Sequence, residues 1–331
     1  MDPVTHALTG AAAAQSLARN DLQRPAAFTA MIAALLPDLE TFVHRADDPL
    51  FNIEIHRQFT HAFVFIPIGA LLTALLLWWF MRRHLTFPQL FAFSFTGFAT
   101  HGFMDAITSY GTELLWPFSD VRIAWNLVPI VDPLLTVVMA LLVGLGVWHR
   151  RKWIGWVFFG WLALYILAGA VQRERAKDTI TRLAGDRDHK IERLVVKPTI
   201  GNLLLWRSTY AHGDSIYVDA VRAGWGEGLL IYEGAAAESI HPETHFIRWK
   251  GTTLYSDIER FYRFSDGFVI RDPHRDEILG DARYSMIPNS LNPLWGIRAD
   301  TTAADCHVPF LNFRDAGSEV RKTFLKQLKG K

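Results

Sequence analysis

The chain of 331 residues has one cysteine, Cys306. A lone thiol excludes an internal disulfide and a cysteine-rich zinc site, so any metal here must be held by histidine and carboxylate. An excess of charge of either sign is also missing. With 34 Lys+Arg against 33 Asp+Glu, nothing points to nucleic acid as a partner. No charged side chain occurs between Ala62 and Phe80, or between Phe87 and Met104. Stretches of that length without charge suit a hydrocarbon environment. The N-terminus lacks the positive n-region of an export signal. It begins Met1-Asp2-Pro3 with its first arginine at Arg19, so the small apolar run that follows reads as a retained helix over about 4–18.

What is present is half hydrophobic, with 12 Trp and 23 Phe. A second short apolar helix, 26–36, stops at Pro37-Asp38. Both helices fall below the roughly 20 residues that cross ~30 Å of hydrocarbon, so they read as a short, partly inserted hairpin. Residues 38–60 lack a clear period and read as loop with short helical turns. About four full spans are expected next, at 61–80, 88–107, 127–148 and 153–171. The basic loops Arg82-Arg83 and Arg150-Arg151-Lys152 fall on one side if spans alternate, and basic residues mark the cytoplasmic side. The N-terminus, the loops 38–60 and 109–126, and everything after Val171 then face outward.

The expected fold class is an α-helical membrane domain, 1–172, of about four full spans plus the N-terminal short helical hairpin. It is followed by a charged, helix-prone linker, 173–190, and a small β-rich soluble domain, 191–331. In that domain short alternating runs at 191–196, 203–210, 215–221, 246–250, 261–264, 268–271 and 284–287 predict antiparallel strands. His212-Gly213-Asp214 and Ser265-Asp266-Gly267 read as hairpin turns between them. Residues 318–331 predict a basic amphipathic helix, and His241 and His245 read as belonging to a surface loop.

The functional signal lies near the end of the second span, where His101 and Asp105 stand one helical turn apart on one face. Ser94 and Gly97 continue that face with small residues that let another helix approach. An ionisable residue in a membrane span is a functional-site candidate because burying it in hydrocarbon is costly. The topology brings further candidates to the same outer face: His6, Asp38, His56, His61 and, five residues into the third span, Asp132. Singly, each has an ordinary role as a helix cap, a turn residue or an interfacial histidine. Together they predict one pocket in which His6, Asp38, His56, His61, His101 and Asp105 ligate a divalent metal, with Asp132 at its wall. His44, His84 and His149 are left out of this set.

Several blocks also carry a family resemblance: Asp2-Pro3-Val4-Thr5-His6-Ala7-Leu8-Thr9-Gly10, Leu36-Pro37-Asp38, His56-Arg57-Gln58-Phe59-Thr60-His61, and the run from His101-Gly102-Phe103-Met104-Asp105 through Trp116-Pro117-Phe118-Ser119. In this order they resemble the signature of the inner-membrane metal-dependent hydrolase family, whose members are similar to the YdjM protein. The chain departs from it at Glu40, where a second Asp is frequent, and at Ala62, where a Ser is frequent. The His and Asp set is also similar to that of zinc-dependent phospholipase C and related single-strand nucleases. The resemblance implies a bacterial inner-membrane location and a hydrolytic metal centre.

A mixed imidazole and carboxylate shell suits zinc or another divalent transition ion. In the hydrolase reading Arg57 pairs a substrate phosphate, and Asp105 or Glu40 takes a proton from water. The partners expected are the membrane lipid bilayer and a lipid-like ester substrate, with no nucleic acid. The alternative is a non-catalytic scaffold whose metal pins helices. A transporter with an ion relay is a third reading, disfavoured because the ligands gather at one face rather than at midplane.

Overall fold

The computed structural model describes residues 1–331 except Glu227 and Asp315. It divides into two compact units. The first comprises residues 1–43, 55–170 and 200–202; the second comprises 44–54, 171–199 and 203–331.

The first unit opens with α1 (Pro3–Leu17), capped by the Asp2 carboxylate, which accepts the Thr5 amide N–H at 3.0 Å, with Pro3 in the first turn. Next come α2 (Gln23–Ala33) and the 3-10 turn Leu36–Phe42, and then α3 (Phe51–Ile55), all but its last residue in the second unit. A 3-10 turn, Phe59–His61, leads to α4 (Ile66–Met81). A Thr86/Gln89 capping box starts α5 (Phe87–Ala106). Asp132 and Pro133 start α6 (Pro133–His149), and α7 (Lys152–Asp186) follows after Arg150 in the left-handed conformation. Helices α1, α2, α4 and α5 enclose a core in which Ala14, Ala26, Ala30 and Ala74 are fully buried. Alanine at these crossings keeps the axes close.

Among the described residues two stretches, Phe63–Met81 and Lys152–Asp186, are long and apolar enough to cross a membrane, not the four expected. The reasons are local. The 20-residue α5 carries the polar stripe of Ser94, Thr100, His101 and Asp105, and α6 stops at 17 residues. The outward faces are nevertheless greasy: Leu71, Leu72, Leu75 and Trp79 on α4, and Leu134, Val137 and Leu141 on α6, are exposed. Contiguous apolar surface of this kind marks contact with lipid or protein. The stretch 173–190 is helix as far as Asp186, since α7 runs on without a break.

The second unit holds two antiparallel sheets. One runs β1 (Arg193–Pro198), β2 (Leu205–His212), β3 (Ser215–Ala223) and β4 (Leu229–Tyr232), with β5 (Ala236–Glu238) also pairing β3. After α8 (Pro242–His245) and α9 (Thr253–Phe264), the other runs β6 (Val269–Asp272), β7 (Arg275–Asp281), β8 (Trp295–Arg298) and β9 (Phe310–Asn312), and α10 (Ser318–Lys329) closes the chain. His212 pairs Ser215 across the expected hairpin turn. Residues 261–264, read as a strand, end α9, whose Leu254, Ile258 and Phe261 fall on one buried face; a short aromatic run fits both periods. Ser265-Asp266-Gly267 is therefore a helix-to-strand turn, with Asp266 and Gly267 at positive φ. Residues 246–250 contain a 3-10 turn, and 284–287 are irregular.

The segment 44–54 belongs to this unit. Leu50 and Ile53 lie in its apolar core with Leu254, Ile258 and Phe261. Arg260 on α9 grips Asp48 at 3.0 and 2.9 Å and Glu54 at 2.7 Å through both oxygens of each.

Candidate metal centre

The centre is built around α5. Gly97 lies one turn before His101, and a Cβ there would sit 2.2 Å from the Ala30 carbonyl oxygen, so only glycine lets α2 pass this close. That approach brings the Ala34 carbonyl oxygen to 2.6 Å from His101 Nδ1. Gly102 does the same on the other side, where a Cβ would lie 2.6 Å from the His61 carbonyl oxygen. Small residues beside His101 are thus what brings α2 and the 59–61 turn to it.

Hydrogen bonding then assigns the imidazole protons. His101 Nδ1–H donates to Ala34 and leaves Nε2 with its lone pair. Thr60 donates its hydroxyl to Glu40, so its oxygen accepts from His61 Nδ1–H at 2.9 Å, with Glu40 Oε1 3.4 Å from the same nitrogen. His61 Nε2 is left bare as well, 2.9 Å from His101 Nε2. Two nitrogen lone pairs at that separation repel unless a cation lies between them. Carboxylates complete the set. Asp105 Oδ2 stands 3.1 Å from His61 Nε2 and 3.3 Å from His101 Nε2, and Asp38 Oδ1 stands 3.5 and 3.4 Å from the same two atoms.

These separations fit a metal. A tetrahedral ion with ligands at about 2.0–2.1 Å has ligand–ligand edges of roughly 3.3 Å. Asp105 Oδ2, moreover, is buried and accepts no hydrogen bond. Its other oxygen is crowded: the Met1 amine, Arg57 at 3.0 Å and His6 Nε2 at 3.3 Å all converge on Oδ1. Asp38, Glu40, His61, His101 and Asp105 come from three separate elements, so the chain has gathered donors that sequence distance keeps apart.

Asp38, His61, His101 and Asp105 form the group whose donors all lie within 4.8 Å of one another among the described residues. His6 flanks it, its ring stacked on His101 at 3.7 Å. His56 stands a step outside; its Nδ1 meets Glu40 Oε1 at 3.2 Å. Asp132 is spent elsewhere, accepting from the Leu135 amide and from Tyr165 O–H at 2.6 Å. His84 and His149 are exposed.

Burial alone would raise the Asp38 carboxyl, but a proton on His101 or His61 Nε2, standing where a metal cation would, donates to it, outweighs burial and holds it below the ordinary range. Burial would raise Glu40 too, yet His56, His61, Thr60 and the Arg57 amide hold it ionised. Arg57 adopts φ 64, a left-handed conformation costly for a residue with a Cβ. Its amide donates to Glu40, its guanidinium reaches Asp105 and Thr108, and the Tyr110 ring lies 5.0 Å beneath it.

Thr60, Thr108, Tyr110 and the Met1 amine are the participants that sequence reasoning missed. Thr60 precedes a candidate ligand and Thr108 lies three residues after one, a signal that was there to use. The Ala34 carbonyl has no signature, because any residue supplies one.

The family model described as YdjM inner membrane protein matches residues 1–176. The uncharacterized protein YfhP of Bacillus subtilis (strain 168) is 26% identical over 234 residues, which cover 66% of this chain and 67% of that protein. No solved structure matches.

Proposed function

This chain belongs to the YdjM inner membrane protein family, and from that premise we propose that it is a membrane-bound, metal-dependent hydrolase of a phosphoester or another ester. The observation that carries the reading is the bare pair of Nε2 atoms beside an unpartnered Asp105 Oδ2, with a guanidinium alongside. Asp38, His61, His101 and Asp105 would hold the ion, zinc by the donor set, and His6 would pack against them. A divalent ion in such a shell lowers the pKa of bound water toward ~7 and polarises a phosphoryl or carbonyl oxygen.

The remaining work falls to the chain. Arg57 is the anion-binding residue. Its Nε is buried without a partner, and a fork of N–H groups matches two phosphate oxygens. Glu40 has its oxygens engaged by Thr60, Arg57, His56 and His61, so it serves to orient His61 rather than to take a proton. Asp38 is the ligand that reaches the surface, with its side chain 24% exposed, and marks the way in.

The placement proposed is the outer face of the inner membrane. The basic loops after α4 and before α7 would be cytoplasmic, and the second unit would lie outside. Reporter fusions after Phe87 and after Lys331 should then report opposite sides, and a cytoplasmic C-terminus would sink this placement.

A structural metal site is the second reading, favoured by the count of protein donors: four already complete a tetrahedron. Purified Arg57→Ala protein separates the two. In the hydrolase reading it keeps its metal and loses turnover of bis(p-nitrophenyl) phosphate. If wild-type protein with a full complement of metal never cleaves esters and Arg57→Ala changes nothing, the scaffold stands.

A further inference from the structure

The only ligand of the centre that reaches the surface opens among apolar side chains. Directly after Asp38 the chain exposes Leu39, Phe42 and Val43, and Phe42 is 79% accessible. The loop after α5 exposes Leu115, Phe118 and Val121, with Phe118 at 83%. Exposed phenylalanines of this degree on segments that carry or border a polar site are not explained by packing.

Both segments continue a surface that already faces lipid in the membrane reading. The span 63–81 opens with exposed Phe63 and Val64, and its outward face runs on through Leu71, Leu72 and Leu75. The Phe63 amide donates to the Leu114 carbonyl at 3.0 Å, which ties the 115–121 loop to the first residue of that span. Phe59, in the turn that delivers His61, meets Phe65 and Trp116 at ring-centre distances of 5.5 and 6.3 Å. The turn 36–42 packs against α4. Apolar surface is therefore continuous from the span to the rim of the centre.

We propose that this collar lies in the bilayer, so that the Asp38 entrance opens on the headgroup layer and takes its substrate from the membrane: an amphiphile whose polar ester reaches the centre while its tails stay in lipid. Aromatic side chains are favoured at that depth. Burying Phe42 and Phe118 there is also the simplest reason for leaving them uncovered. The inference rests on the membrane placement proposed above and not on turnover.

The test is of depth. In a Cys306→Ser background, Phe42→Cys and Phe118→Cys are spin-labelled and the protein is reconstituted in phosphatidylethanolamine–phosphatidylglycerol vesicles, with metal content as the check on folding. Leu72→Cys on α4 is the lipid reference, and Asp300→Cys, on an exposed loop, is the aqueous reference. The collar labels should collide with dissolved oxygen more than with chromium oxalate, in a ratio within about twofold of the Leu72 label. A ratio matching the Asp300 label overturns the proposal. Shielding from both reagents overturns it too, because it would mean that protein covers the collar. Neither outcome depends on esterase activity, so the hydrolase reading stands or falls separately.

Discussion

Both units bury carboxylates against arginine, as Glu113 meets Arg122 at 3.2 Å in the first, but the carboxylates of the candidate centre are answered differently. In the second unit Asp219 meets Arg187 at 2.8 Å, Asp281 meets Arg283 at 2.8 Å, and Asp257 meets both Arg260 and a single imidazole, His307, at 2.9 Å. In the first unit Asp38, Glu40 and Asp105 face imidazoles from four segments, with Arg57 and the Met1 amine gathered on one oxygen of Asp105. Arginine cannot give up its proton, so an arginine–carboxylate pair is finished in itself. Imidazole can present a lone pair, so a histidine–carboxylate group stays incomplete until a cation arrives. Several imidazoles gathered on several carboxylates, more than the degree of burial, mark the first unit's group as candidate donors.

The largest expected effect breaks the first half of that comparison. Replacing both His101 and Asp105 with Ala should abolish bound zinc, manganese and iron in protein purified without chelator, as read by metal analysis. His149→Ala should retain the wild-type amount, and equal metal in wild type and double variant would end the centre. Arg260→Met attacks the second half. It takes the guanidinium from Asp48 and Glu54 and leaves Asp257 with only His307 and the Val308 amide, and thermal unfolding in detergent should register a loss of about 3 kcal/mol with metal content unchanged. Glu40→Gln should weaken metal affinity by about 10–100-fold, because Thr60, which accepts from His61 Nδ1–H, loses the carboxylate that fixes its hydroxyl; competition with a chromogenic chelator measures it, and an unchanged affinity would remove Glu40 from the site.

The smallest effect concerns the exception. Lys197 is buried in the second unit with no acceptor, its Nζ over the Tyr284 ring, and burial with Arg283 and Arg207 nearby holds its amine far below the ordinary range. The folded chain therefore lacks a proton that the unfolded chain binds below about pH 10. Stability from this group is missing at neutral pH and returns as pH rises toward that value. Lys197→Met should stabilise by about 1–2 kcal/mol near pH 7 and by less near pH 10, measured by unfolding at both. A variant no more stable at neutral pH would show that the amine has found a partner.

Where one period dominated, the elements were legible in advance. The helix expected at 88–107 is α5, Phe87–Ala106, although it is not apolar enough to count as a span, and the β2–β3 hairpin sits on its Gly-Asp turn. The alternation test failed on 261–264, where Phe261 and Phe264 fit the face of α9 as well as a strand. It also passed over β7, whose Arg275, Asp276 and Glu277 look like loop because that end of the strand is exposed. At the site, the i,i+4 pair and the small stripe were readable because α5 is regular. The division of His56 from His61 was not, since it depends on Arg57 turning left-handed between them.

The segment 44–54 leaves between two residues of the centre, Glu40 and His56, and its Leu50 and Ile53 are part of the other unit's interior. The two units are therefore stitched rather than strung in tandem. A gene fragment ending near residue 172 would encode every metal donor and yet leave those two side chains without the interior they fill.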